Sequence, residues 1–164
     1  MGIKGMFTSP EQLAGDASLK GFDSGLDVVD SWAANHAHSA KRRGTAVVYV
    51  SYTAGHLTPA GFYTLSSHSV ERDEVRGGWL RRNAPEQVPA ILIGMLGVDQ
   101  RFQGMGLGSA LLADAIARSL GIADAIGSKA IVVDLAGDGA RSFYTRYGFA
   151  SIPGTERMYL PLKL

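Results

Sequence analysis

Apolar positions along the chain alternate between short β-branched or aromatic runs and stretches of helical repeat, and that order predicts a mixed α/β fold. Between 23 and 41, Leu26, Val29, Trp32 and Ala33 recur at helical spacing, with Asp23 or Ser24 placed to cap the helix and Gly44 to end it. Residues 45–53 read as a strand, 54–56 as a turn, and 60–66 as a second strand pairing with the first as a meander. Residues 76–89 mix glycine, proline and charge without periodicity and read as a loop. The strand at 90–98 is apolar on both faces, hence central, and Gly97 within it points to a bulge or a close backbone approach. Leu107, Leu111, Leu112, Ile116 and Leu120 mark one face of a helix that Gly121 or Gly127 ends. A buried strand at 129–136 should run parallel to 90–98 because a helix joins them. A short helix at 138–147 and a closing segment at 158–164 complete the chain.

Length predicts one domain over 1–164, large enough to bury roughly two-thirds of its unfolded surface. The absence of cysteine excludes disulfides, thiolate nucleophiles and cysteine-ligated zinc, and is compatible with a cytoplasmic setting. The opening residues lack the apolar core of a secretory leader, and no apolar run approaches the roughly 20 residues that span a bilayer, so a cytoplasmic protein with no membrane partner is expected. His36 and His38 diverge on a helix, while His56 and His68 lack ligands at metal spacing, so no metal site is expected. Net charge is only +1, yet 41–82 holds seven basic residues (Lys41, Arg42, Arg43, Arg72, Arg76, Arg81, Arg82) against the acidic Glu71, Asp73 and Glu74. Converging on one face, such residues would attract phosphate backbones.

The chemistry concentrates between Gly94 and Ser109, where a strand, a glycine-studded loop and a helix start follow one another. Arg101-x-x-Gly104-x-Gly106 leaves backbone amides unobstructed just before a helix whose first turn has unpaired N–H donors and the positive dipole end, a cradle suited to pyrophosphate. A Walker loop is excluded, because no lysine follows Gly104, Gly106 or Gly108. A dinucleotide fingerprint fits poorly, with Ser109 at its third glycine and the loop past mid-chain. A bare turn without a ligand is the remaining alternative. The spacing resembles the acetyl-CoA signature of the GNAT acetyltransferases, (Gln/Arg)-x-x-Gly-x-(Gly/Ala). A second stretch, from Ala140 to Phe149, resembles that superfamily's Ala-x-x-Phe-Tyr-x-x-x-Gly-Phe element.

The resemblance implies a GNAT fold: a mixed sheet of six or seven strands with a central splay, flanked by helices. It implies acetyl-CoA as cosubstrate, held by Leu96, Gly97, Val98, Arg101, Gln103, Gly104, Met105, Gly106, Gly108, Ser109 and Phe143, with amides near Gly97 and Val98 polarising the thioester carbonyl. Tyr144 would protonate the departing thiolate, while Phe149 is core. Two departures stand out: Met105 where many relatives carry a cation, and Gly137 where an asparagine is frequent.

A narrower likeness, in 22–32, 61–65, 80–85 and 88–89, is to the toxin branch of GNAT enzymes. That branch acetylates the α-amino group of aminoacyl-tRNA, halts translation and is neutralised by a ribbon-helix-helix antitoxin. The likeness makes Arg42, Arg43, Arg76, Arg81 and Arg82 candidates for tRNA contact. An α-amino group has a pKa of roughly 7.7–8.0, lower when its acid is esterified, so much of it is neutral at physiological pH and no strong base is required. Acetylation of a small amine, a protein N-terminus or a lysine is the alternative, a non-catalytic acyl-CoA sensor is the third reading, and homodimer formation is left open.

Overall fold

The computed structural model describes residues 5–71, 86–137 and 139–162. In chain order the elements are β1 (Glu11–Gln12), α1 (Asp27–Asn35), α2 (Ala37–Arg43), β2 (Val47–Tyr52), β3 (Pro59–Glu71), β4 (Gln87–Val98), a 3-10 turn (Gln100–Phe102), α3 (Leu107–Ile126), β5 (Ala130–Asp134), α4 (Ala140–Thr145), β6 (Ala150–Ser151) and β7 (Arg157–Pro161). The strands are hydrogen-bonded in the order β1-β2-β3-β4-β5-β7-β6, a seven-stranded mixed sheet with flanking helices, which is the predicted fold class. Two compact units divide the chain, Met1–Leu65 with Gly94–Ala115 and Ser66–Ile93 with Ile116–Leu164.

In the first unit, β2 and β3 form the expected antiparallel pair, registered from Val47↔Leu65 to Ser51↔Gly61, and β1 adds an edge strand too short to be read in the sequence. Side chains alternate faces along β3. Phe62 packs edge-on to Phe22 (centroids 5.0 Å apart) and stacks on Trp32 of α1 (6.2 Å), whereas Gly61 faces Leu107 and Leu111 of α3. Two glycines set how closely the helices approach. A Cβ on Gly61 would lie 2.8 Å from Leu111 and 3.2 Å from the Gly97 carbonyl oxygen, and a Cβ on Gly97 would lie 2.8 Å from Val29 Cγ1. The close approach expected at Gly97 is therefore made by side chains of the α1 region.

The predicted 23–41 helix is two helices. The chain breaks at His36 (φ −125°, ψ −24°), and neither Asp23 nor Ser24 is the cap, since Leu26 holds that position without a side-chain bond. Instead Asp30, inside α1, reaches back to accept from the Ser24 amide (2.8 Å), the Ser24 hydroxyl (2.8 Å) and the Gly25 amide (3.2 Å). Gly44 does end α2, in the left-handed conformation (φ 72°) that glycine adopts without steric cost.

In the second unit β4 and β5 run parallel as expected, paired from Ala90↔Ala130 to Ile93↔Val133. That ladder stops at Ile93, while β4 continues to Val98. Strand β7 pairs antiparallel with β5, and the two-residue β6 closes the other edge. Val70, Ala90, Ala130, Val132, Ile152 and Tyr159 form one buried apolar cluster of this unit. The loop expected at 76–89 lies outside the described residues up to 85, and its last part is strand, because β4 begins at Gln87. Of the two glycines offered as the end of α3, Gly127 (φ 84°) fits, and Gly121 lies inside the helix.

If Gly97 is required by α1 packing, Gly97→Ala should lower stability by about 1–3 kcal/mol, the usual cost of overpacking a core. Val29→Ala in the same chain should recover part of that loss in urea titrations, as coupled neighbours do. Additive losses would remove Val29 as the cause.

Candidate active site

The glycine loop is anchored by a carboxylate the sequence did not advertise. Asp99 follows β4 directly and is 1% exposed. It caps the 3-10 turn, accepting from the Arg101 amide (3.1 Å), Arg101 Nε (2.9 Å) and Arg101 Nη2 (3.2 Å), and it takes the Asp23 amide at 3.2 Å. Its own amide donates to Ala60 O (2.9 Å), which fixes the end of β4 against β3. Burial acts to raise the Asp99 carboxyl, but the hydrogen bonds from Arg101 and Asp23 and the Arg101 charge outweigh it and hold the group below the ordinary carboxylate range.

The other polar residues of the loop are also turned inward. Gln103 Nε2 donates to Ser24 O (2.9 Å) and Val98 O (2.8 Å), stapling the loop to the strand end and to the segment before α1. Gln100 Nε2 bonds Asp23 Oδ1 (3.0 Å), and the Gln100 amide bonds Asp23 O (2.8 Å). With the polar ends of Gln100 and Gln103 engaged by the protein, the loop presents backbone outward beside the exposed Arg101 and Met105 side chains. Gly104 (φ 78°) and Gly106 (φ 86°) take left-handed conformations, and a Cβ on Gly104 would meet nothing within 4 Å. Glycine there serves the backbone turn and leaves open space above it. Helix α3 begins at Leu107, and its first bond runs from the Ala110 amide to Gly106 O (3.1 Å). The Leu107 and Gly108 amides stand at the positive end of a 20-residue helix.

The signature fits this chain in two frames, and in both the leading side chain is already engaged within the protein. In the frame beginning at Arg101, the guanidinium that should lead the motif is folded back onto Asp99. In the frame beginning at Gln103, the two glycines are Gly106 and Gly108, at the helix start where amides are presented. Arg101 is thus a structural clip on the loop as well as a cation with its side chain 61% exposed.

The second motif lies in the other unit. Tyr144, on α4, is 5% exposed and packs edge-on to Phe143 (5.1 Å) and Phe149 (5.4 Å). Burial, with a smaller contribution from Asp134, pushes the Tyr144 phenol well above its ordinary value, so the hydroxyl keeps its proton at every physiological pH. Asp134, at the end of β5, accepts from Arg157 Nε (2.7 Å), and Arg157 Nη1 lies 3.0 Å from His68 Nε2. This Asp134–Arg157–His68 chain has no signature in the sequence; its members lie far apart and no local spacing marks them. Of the proposed RNA-contacting arginines, Arg42 and Arg43 are exposed on the last turn of α2, and Arg76, Arg81 and Arg82 lie outside the described residues.

The family model "Acetyltransferase (GNAT) domain" matches residues 66–151. A Mycobacterium tuberculosis protein named tRNA-acetylating toxin is 36% identical over 95% of this chain and 92% of its own length. A Sinorhizobium fredii protein named probable toxin TacT is 33% identical over 86% and 83%. The chain belongs to the GNAT acetyltransferase family. Among solved structures, a point mutant of KacT superposes with TM-score 0.86, covering 95% of each chain, and AtaT in complex with acetyl-methionyl-tRNAfMet with TM-score 0.84, covering 94% of each. Both are 23% identical to this chain, and they establish its fold.

Asp99→Asn keeps the shape but removes the charge that holds Arg101, and should destabilise the protein by about 1–3 kcal/mol at pH 7, the range for a hydrogen bond to a charged group. Because the folded-state carboxyl is held low, its stabilisation is complete above roughly pH 4 and disappears as pH falls through the folded pKa. Urea titrations of variant and parent should therefore converge toward acid pH; a gap that stays constant would show that Asp99 acts by shape alone.

Proposed function

We propose that this chain transfers the acetyl group of acetyl-CoA to the α-amino group of aminoacyl-tRNA, blocks translation by doing so, and acts in the cytoplasm as the toxin of a pair whose antitoxin is a ribbon-helix-helix protein. The observation that carries this reading is the 36% identity to a tRNA-acetylating toxin along nearly the whole length of both chains.

The cofactor's pyrophosphate rests against the amides of the 103–109 loop, where Gly104 and Gly106 permit the approach and the α3 dipole supplies partial positive charge. Leu96, Gly97 and Val98 lie along the thioester arm, and an outward amide near Gly97 polarises its carbonyl. The neutral α-amine attacks that carbonyl carbon, the tetrahedral intermediate collapses, and the C–S bond breaks. Tyr144 donates its proton to the leaving sulfur. A phenol pushed up by burial is a weak acid towards water, but a thiolate released in the same dry surroundings is raised likewise, so transfer remains matched.

Gly106→Val should abolish acetyl-CoA binding in isothermal titration, with a lowered but still cooperative thermal unfolding transition because a β-branched residue is strained at φ 86°; unchanged affinity would remove the loop from the cofactor site. Tyr144→Phe keeps the ring and its packing, and should lower single-turnover acetyl transfer about a hundredfold to ten-thousandfold, the range for a general acid, with acetyl-CoA affinity preserved. For the parent, kcat/KM should rise with pH as the substrate amine deprotonates, at or below roughly pH 8, with no falling limb from Tyr144 up to about pH 10. A Tyr144→Phe enzyme at the parent rate would return Tyr144 to the core. The reading as a whole is tested by incubating charged tRNA pools with labelled acetyl-CoA and sequencing the labelled fraction: label on α-amino groups is expected, and label confined to free amines or protein lysines would overturn it.

A further inference from the structure

A cleft beneath the last turn of α2 has no part in acetyl transfer as described above. Its walls are apolar, made by Leu13 and Ala14 after β1, Ala37 of α2, and Val47 and Val48 of β2, while His38, Lys41 and Arg42 stand at its rim. It encloses about 500 Å³, within the size range of small-ligand sites. The cations are not neutralised: Lys41 Nζ donates to the uncharged Gln12 Oε1 (2.6 Å), and among the described residues no carboxylate pairs with Lys41, Arg42 or Arg43. Three consecutive cations exceed what the partial negative charge of one helix end calls for.

Position within its unit separates this cleft from the glycine loop. The loop joins the sheet at Ala60, whose carbonyl takes the Asp99 amide, whereas Val47 at the cleft is registered with Leu65. Ala60 and Leu65 are five positions apart on β3, about 17 Å of strand. A chain carrying net charge +1 has no general attraction for a polyanion, so affinity for RNA must come from local clusters such as this one.

We propose that the cleft takes an unstacked nucleobase of the RNA substrate, with the adjoining phosphates on Lys41 and Arg42. This rests on the reading of the substrate as aminoacyl-tRNA. An apolar slot with cations at its rim matches a base between two phosphates, and it gives the enzyme a hold on the body of the RNA that a free amino acid or a short ester cannot use.

Ala14 is an exposed residue of the cleft wall, so Ala14→Trp fills the cleft without entering the core. KM and kcat are measured on full aminoacyl-tRNA and on an aminoacyl ester of adenosine alone, which has no second base and no phosphate to place in the cleft, with thermal unfolding as the folding control. KM for the full substrate should rise about tenfold with kcat unchanged, and turnover of the adenosine ester should match the parent. Lys41→Gln with Arg42→Gln should lower the logarithmic salt slope of tRNA binding by about 0.7–0.9 for each phosphate that is no longer neutralised. A parent that acetylates no charged tRNA overturns both the functional reading and this proposal. A parent that does, with Ala14→Trp either unaffected on tRNA or equally impaired on both substrates, overturns the cleft alone. So does an Ala14→Trp effect confined to a protein partner.

Discussion

The arrangement of the first unit depends on one buried carboxylate. Asp99 has to be charged to accept four hydrogen bonds at once, and it has to be paired because an isolated carboxylate at 1% exposure would carry a desolvation cost of several kcal/mol. Arg101 answers both needs, binding it through the guanidinium and the amide two residues on. The Asp23 amide then draws the segment before α1 onto the same group. Strand end, loop and helix approach thereby meet at one residue, with Gln103 and Gln100 adding bonds between the same three segments.

That division of labour explains why the motif is readable in the sequence while its support is not. Glycines at 104 and 106 announce themselves because few other residues take a left-handed backbone, and a helix start after them follows from the apolar repeat of Leu107, Leu111 and Leu112. A buried aspartate next to a loop looks in sequence like any solvated acid. Spacing alone allows the motif to begin at Arg101 or at Gln103. Both leading side chains are engaged within the protein, Arg101 by Asp99 and Gln103 by Ser24 O and Val98 O, through partners that no local spacing announces.

The fold is legible where period and length agree. Strands at 45–53 and 90–98, the long helix after the loop and its parallel partner strand all follow from apolar runs bounded by glycine, and all are present with shifted ends. The break at His36 is not legible, because Val29, Ala33, Ala37 and Ala40 keep one helical phase straight through it, with neither proline nor glycine to mark the change. Two-residue edge strands such as β1 and β6 are too short for any alternation to register. Gly97 is legible as a constraint but not as to its cause, since the neighbour that forbids a side chain, Val29, lies 68 positions earlier in the numbering of the chain.

Tyr144 owes its protonation state to the same burial that stabilises the fold. A buried phenol beside Asp134 cannot ionise cheaply, so as a free acid it would be inert at neutral pH. The proposed role as general acid therefore requires a base stronger than water at the moment of transfer, and a thiolate leaving the proposed tetrahedral intermediate would be one. In that proposal the tyrosinate would recover its proton from the ammonium formed when the neutral amine attacks, so burial would keep the acid loaded and favour its reloading without a dedicated base.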